Sequence, residues 1–297
     1  MKRNRKLILI LLIFFILIYI GFSFFVANEM TKPMAPRLDV YPTVVSENFE
    51  AIEFKSTDDL TLKGWLFSTD TSKLVIMVPG LTQNRINTAY YAIWIAKDLV
   101  GAGYNVIMYD PRATGLSEGD RVSYGKFEVA DILGAVEFAK GRGFKPEKIA
   151  ILGDSTGAIT ILMAADKLNK VGALIIDSAA TNFKPLIINR LWAEKSVPTF
   201  FAPAIFFFTD TVFKTKIGEV KPIEQLPLVP ERRFLYLHGE SDDLFPIDES
   251  KRLLEASNPE SKLVIFSKGN HVETFKSDPD LYRKEIFNFL ESELGDL

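Results

Sequence analysis

Residues 7–27 form an uncharged, overwhelmingly apolar run with no polar face to interrupt it, unlike a helix buried in a soluble core. At helical rise the run covers about 30 Å, one thickness of bilayer hydrocarbon, and predicts a transmembrane helix. Residues 30–46 read as a linker: Pro33, Pro36 and Pro42 stand there among polar residues, a pattern expected of a spacer lifting the rest of the chain off the bilayer. From residue 47 the pattern alternates. Short β-rich runs occupy 51–54, 60–67, 74–78, 104–109, 149–152, 173–176, 234–237 and 263–266. Apolar residues near the 3.6-residue period predict helices over 89–100, 127–139, 158–168, 249–256 and 281–294. Adjacent early strands, then strand and helix in alternation, predict an α/β fold: one domain over 47–297 on a mostly parallel, eight-stranded sheet with helices on both faces.

One connection breaks the rhythm. Residues 179–230 separate the sixth and seventh strand runs and predict a cap insertion rich in bulky apolar side chains, among them Leu191, Phe200, Phe201, Phe206, Phe207 and Phe208. Packing of the cap against the sheet, lining of an acyl pocket and contact with the membrane all fit that composition.

Charge narrows the setting. Lys2, Arg3, Arg5 and Lys6 precede the apolar run, and a basic flank stays cytoplasmic, which sends everything after Asn28 to the outer side of the membrane. A cleaved signal peptide is the alternative; Phe24, Phe25 and Val26 stand where small residues would mark its cleavage site and favour a retained anchor over residues 1–29. The formal net charge is -3 and no other cluster is strongly basic, so nothing points to a nucleic-acid partner. With no cysteine and two histidines, His238 and His271, the chain cannot assemble the thiolate or imidazole clusters of zinc and iron-sulfur sites. No metal and no cofactor is expected.

Gly153-Asp154-Ser155-Thr156-Gly157 directly follows a β-rich run and opens the helical segment with Ala158, Ile159, Ile161 and Leu162. Strand, tight turn and helix make a nucleophile elbow, in which flanking glycines let neighbouring backbone pass and the turn projects the serine above the sheet edge. A serine hydroxyl needs a base to accept its proton. His271 lies on the loop beyond the last strand run, within reach of that edge, whereas His238 ends the seventh run and reads as a structural histidine. The base in turn needs a carboxylate on its other ring nitrogen, to hold one tautomer and offset transient positive charge. Asp242 and Asp243 both follow the seventh run, at the strand end where open α/β sheets place their sites. Serine, acid, histidine is the order of that elbow's triads.

With these residues in view, the chain resembles the α/β-hydrolase superfamily over about residues 50–295, in particular its single-domain esterases, monoglyceride lipases and serine aminopeptidases. The resemblance rests first on Gly153-Asp154-Ser155-Thr156-Gly157. It rests also on the string from His238 to Pro246, which looks like the family's HGxxDxxxP acid loop and selects Asp242. Tyr109-Asp110-Pro111-Arg112-Ala113-Thr114-Gly115-Leu116-Ser117 is similar to the DxRGxGxS segment, structural in the family, with Ala113 in place of a glycine. The resemblance implies oxyanion donors in the backbone amides of Leu81 and Thr156. In Val78-Pro79-Gly80-Leu81-Thr82 a proline stands where the family commonly has histidine; a Leu81 donor survives that change, while the histidine's own hydrogen bonds do not. The activity implied is cleavage of a carboxylic ester of acyl or lipid-like character, with Ser155 as nucleophile, His271 as base and Asp242 as the orienting acid. A peptidase or thioesterase would use the same groups, and a silent, membrane-tethered binding module would keep the fold alone.

Overall fold

The computed structural model of the chain describes residues 2–34, 38–81 and 83–295; Pro36 and Thr82 lie outside the described residues, as do the side chains of Lys2 and Arg3. After helix α1 (Lys2–Thr31), eight strands form one sheet: β1 (Phe49–Lys55), β2 (Thr61–Phe67), β3 (Leu74–Val78), β4 (Asn105–Tyr109), β5 (Ile149–Asp154), β6 (Ala173–Asp177), β7 (Leu235–Gly239) and β8 (Lys262–Phe266). Their spatial order is β1-β2-β4-β3-β5-β6-β7-β8. β2 is antiparallel to β1 and β4, and the other pairings are parallel. This is the mostly parallel, eight-stranded α/β sheet expected.

Strands β3 to β7 are buried along their whole length because helices cover both faces. Val75 and Met77 enter one core with Ile93 of α2 (Ala92–Gly101). Ile76 and Val78 enter the other with Ile132 of α3 (Val129–Gly141) and Ile159 of α4 (Thr156–Met163). Where a helix was expected over 158–168, α4 ends at Met163 and the chain goes on in tighter turns, Ala165 N bonding Leu162 O and Lys167 N bonding Ala164 O. Ala164, Ala165 and Leu168 still point inward, so the apolar period outlasts the helix. Beyond the sheet's centre come α5 (Phe183–Lys195), α6 (Ala202–Phe207), α7 (Asp248–Glu255), α8 (Thr274–Ser277) and α9 (Pro279–Leu294).

α5 and α6 lie in the insertion between β6 and β7. Its aromatic side chains divide among several partners: Phe206 enters a core with the sheet, while Phe200 and Phe201 stack on Tyr19 of α1 and Phe208 meets Phe24 edge-on.

The large apolar side chains between residues 7 and 18 of α1 are exposed, but its far end is built into the domain. Tyr124 Oη donates to Met30 O at 2.8 Å, Val122 N to Thr31 O at 3.0 Å, and Met34 N to Ala113 O at 2.8 Å. Residues 30–34 therefore lie against the domain. Further on, Leu38, Val40 and Val45 pack against the core.

Candidate active site

β5 delivers Ser155. The strand ends at Asp154, and Ser155 turns with φ 49° and ψ -118°, a conformation that residues bearing a Cβ avoid, before α4 begins at Thr156. Ser155 N donates to Asp177 O on β6 at 2.9 Å, and Ser155 O accepts from Ile159 N at 3.0 Å. Both flanking glycines are required by contact: a Cβ on Gly157 would sit 2.1 Å from Val78 O, and one on Gly153 would sit 2.7 Å from the carbonyl carbon of Gly157.

Asp242 and His271 come from the loops after β7 and β8, which are fastened to each other. Glu240 N donates to Phe266 O at 2.9 Å and Ser241 N to Gly269 O at 3.0 Å. The structure thereby brings three distant residues together: His271 Nε2 lies 2.9 Å from Ser155 Oγ, and His271 Nδ1 lies 2.8 Å from Asp242 Oδ2. The Asp242 side chain is fully buried, and that of His271 is 15% exposed. Burial pushes the Asp242 carboxyl up, but hydrogen bonds from His238 and His271, attraction to His271 and the Phe245 amide outweigh it and hold the group at about 2. An ionised carboxylate only accepts, so Nδ1 carries the hydrogen, and a neutral ring then presents the Nε2 lone pair to the Ser155 hydroxyl. The Phe245 ring stands edge-on to His271 at 4.7 Å.

His238 is fully buried with both ring nitrogens engaged, as a structural histidine should be. Its Nε2 donates to Phe245 O at 2.8 Å and lies 3.3 Å from Asp242 Oδ2; its Nδ1 is 2.7 Å from Ser250 Oγ. It does more than fill space, because it steadies the same carboxylate that faces His271. The spacing of four residues between His238 and Asp242 was the available signal for this. Asp243 is exposed, and its amide donates at 3.2 Å to Asn270 Oδ1, which also accepts from His271 N at 2.7 Å. Asn270 thus ties the Asp243 and His271 backbones together, a contact with no signal in the sequence.

Gly80 lies against the elbow, since a Cβ there would come within 3.2 Å of Ser155 Cβ. Its amide donates to Asp154 Oδ2 at 3.2 Å, and Asn87 Nδ2 donates to the same oxygen at 2.9 Å. Burial, with Asp177 nearby, pushes the Asp154 carboxyl well above the ordinary range. Pro79 has no amide hydrogen and that of Gly80 is committed. The next amide, of Leu81, and that of Thr156 have no acceptor among the described residues.

The segment after β4 stays structural. Asp110 holds Arg85 at 2.7 and 3.0 Å, and Arg112 joins Asp131 and Asp58 at 2.8 and 2.7 Å. Ala113 adopts φ 57°, so the left-handed turn persists without the usual glycine. A cavity of about 450 Å³ has Leu81, Leu244 and Phe245 in its lining, and the Phe245 ring is the one that faces His271. Among the described residues no group of three or more His, Cys, Asp or Glu is placed to hold a metal ion.

The model of the alpha/beta hydrolase fold family matches residues 73–221. The chain is 30% identical over 257 residues to the uncharacterized protein YqkD of Bacillus subtilis (strain 168), across 84% of this chain and 83% of that one. The chain belongs to the α/β-hydrolase fold family. It is also similar to the uncharacterized protein YfhR of Escherichia coli (strain K12), at 24% identity over 254 residues, 83% of this chain and 82% of that one. Among solved structures, the esterase Pf2001 of Pyrococcus furiosus shares the α/β-hydrolase fold at a TM-score of 0.76 and 22% identity, covering 90% of this chain and 99% of that chain.

Proposed function

We propose that this α/β-hydrolase-fold protein is a membrane-tethered serine hydrolase that cleaves carboxylic esters of acyl or lipid-like character. The observation that carries the reading is the continuous line of hydrogen bonds from Ser155 Oγ through the His271 ring to Asp242 Oδ2. Ser155 Oγ bonds to the ester carbonyl carbon as His271 Nε2 takes its proton, and Asp242 offsets the charge on the ring. The oxyanion sits on the Leu81 and Thr156 amides, preorganised donors of a kind whose single loss costs about 10² to 10³ in rate. As the carbon–oxygen bond breaks, His271 returns the proton to the departing alcohol. Water, deprotonated by His271, then attacks the acyl-enzyme and releases the acid and free Ser155, so that ester and water become acid and alcohol without a cofactor.

A mostly apolar cavity that reaches Leu81 and Phe245 supports an acyl group over a peptide, and the shared fold with an esterase agrees with this. The tether is α1, whose 30 residues suffice to cross a bilayer, with Arg5 and Lys6 at the cytoplasmic end and the hydrolase domain outside. The test compares acyl esters of graded length with aminoacyl amides, on wild type and Ser155→Ala. Ester turnover is expected in the wild type and a fall of about 10⁶-fold in the variant; turnover of amides alone contradicts the esterase reading. Protease added to intact cells should digest the hydrolase domain, and a protected domain contradicts its outer placement.

A further inference from the structure

The cavity that reaches Leu81 and Phe245 has two walls of different origin. One is α5 of the cap, through Leu186, Ile187 and Leu191; the other is the outer end of α1, through Val26 and Met30, continued by Met34 just past the helix. Val26 belongs to the apolar run of residues 7–27, so the cavity extends down to the level at which that run leaves the hydrocarbon. The α1 wall is fixed in place: Ala27 and Thr31 are fully buried, and Arg121 donates to Asn28 Oδ1 and Thr31 Oγ1 at 2.9 and 3.0 Å.

The cap follows the helix deeper still. Phe201 and Phe200 stack on Tyr19 at 5.2 and 6.1 Å. Tyr19 precedes Ala27 by eight residues, which at helical rise is about 12 Å inside the run. Phe200 and Phe207, 62% and 56% exposed, prolong the apolar surface of α1 sideways onto the cap. A bilayer seated on residues 7–27 takes in this edge of the cap as well, and hydrocarbon is the solvent that a continuous exposed apolar surface fits.

We propose that α1 is itself a wall of the acyl site, and that the substrate is a membrane-resident, long-chain acyl ester received from the outer leaflet between α1 and α5. The chemistry rests on the serine-hydrolase reading; the new element is the source of the substrate and the part of the protein that selects it. An acyl chain taking this route leaves hydrocarbon for an apolar cavity without crossing water, and each methylene so spared is worth about fourfold in partition. The membrane helix thereby sets chain-length preference as well as location.

The test uses the full chain in phosphatidylcholine vesicles and two probes of Ser155, ethyl and hexadecyl fluorophosphonate. The readout is the ratio of hexadecyl to ethyl labelling rates in each variant, relative to wild type. Met30→Trp and Val26→Trp, which fill the cavity from α1, and Ile187→Trp, which fills it from α5, are each expected to lower the ratio about tenfold, the equivalent of one to two methylenes excluded. Phe14→Trp, on the exposed part of α1, is expected to leave it unchanged. Val26→Trp serves should Met30→Trp fail to fold. A ratio that falls in Ile187→Trp but in neither α1 variant overturns the role of α1, and a ratio unmoved in all three overturns the site. No labelling of wild type by either probe would instead contradict the serine-hydrolase reading and take this inference with it.

Discussion

Replacing Ser155 by glycine and, separately, by alanine isolates the backbone of the elbow from its chemistry. Both variants lose the hydroxyl that faces His271 Nε2 at 2.9 Å, and they differ by one methyl on a residue held at φ 49° and ψ -118°. Holding a residue with a Cβ in such a region costs about 1–3 kcal/mol. Glycine escapes that cost but gives up about 0.5–1 kcal/mol more backbone entropy on folding. The difference favours Ser155→Gly over Ser155→Ala by about 1 kcal/mol, the reverse of the usual order of the two residues. In a domain of this size that is about 2–4 °C in melting temperature. The assay is thermal unfolding of the two proteins side by side in one detergent, followed by near-UV circular dichroism. A Ser155→Ala protein that melts at or above Ser155→Gly refutes the strained elbow, whatever the activity of the wild type.

Three further outcomes are expected. Asp242→Asn should lower kcat for ester hydrolysis by about 10⁴-fold, because an amide favours the wrong tautomer of His271; a loss under about tenfold in steady-state assays would remove Asp242 from the triad. Asp242 is held at about 2, below the ordinary 3.8, so it contributes stability that is complete above about pH 4 and is lost as pH falls through about 2. The melting-temperature gap between wild type and Asp242→Asn should therefore narrow between about pH 4 and pH 2, and a gap that widens contradicts the assigned ionisation. Gly157→Ala brings a Cβ within 2.1 Å of Val78 O and should destabilise the protein by about 1–3 kcal/mol while displacing the elbow; unchanged urea unfolding and unchanged phosphonate labelling would contradict the contact.

Strands β3 to β7 were legible because both of their faces are buried, which leaves short continuous apolar runs such as Leu74–Val78 with little else to become. The elbow was legible because its backbone geometry imposes residue identities: Gly153 and Gly157 are demanded by contacts that any Cβ would violate. The pairing of His271 with Ser155 was reachable by elimination, since the chain has only one other histidine. The choice of Asp242 over Asp243 needed a family pattern. Its physical reason lies in the turn itself, where Asp242 Oδ1 accepts from the amides of Leu244 and Phe245 at 3.0 and 2.7 Å.

The cap was legible as an interruption and no further. α5 and α6 divide their apolar residues between the sheet's core, through Phe183, Ile187 and Phe206, and the cluster with Val26 and Ala27 of α1, through Leu191 and Ile205, so these residues follow no single sheet-facing stripe. The docking of residues 30–34 was hidden for a related reason. It depends on the backbone acceptors Met30 O and Thr31 O and the amide of Met34, groups that every residue carries and no side-chain pattern reports.

The role of Ser155 is tested by covalent labelling of the full chain with a small activated phosphonate, followed by peptide mapping. One adduct is expected, on Ser155, absent in Ser155→Ala and formed far more slowly in His271→Ala. An adduct on another residue, or undiminished labelling of a folded Ser155→Ala protein, would mean that the hydrogen-bonded line from Ser155 to Asp242 is not the catalytic centre.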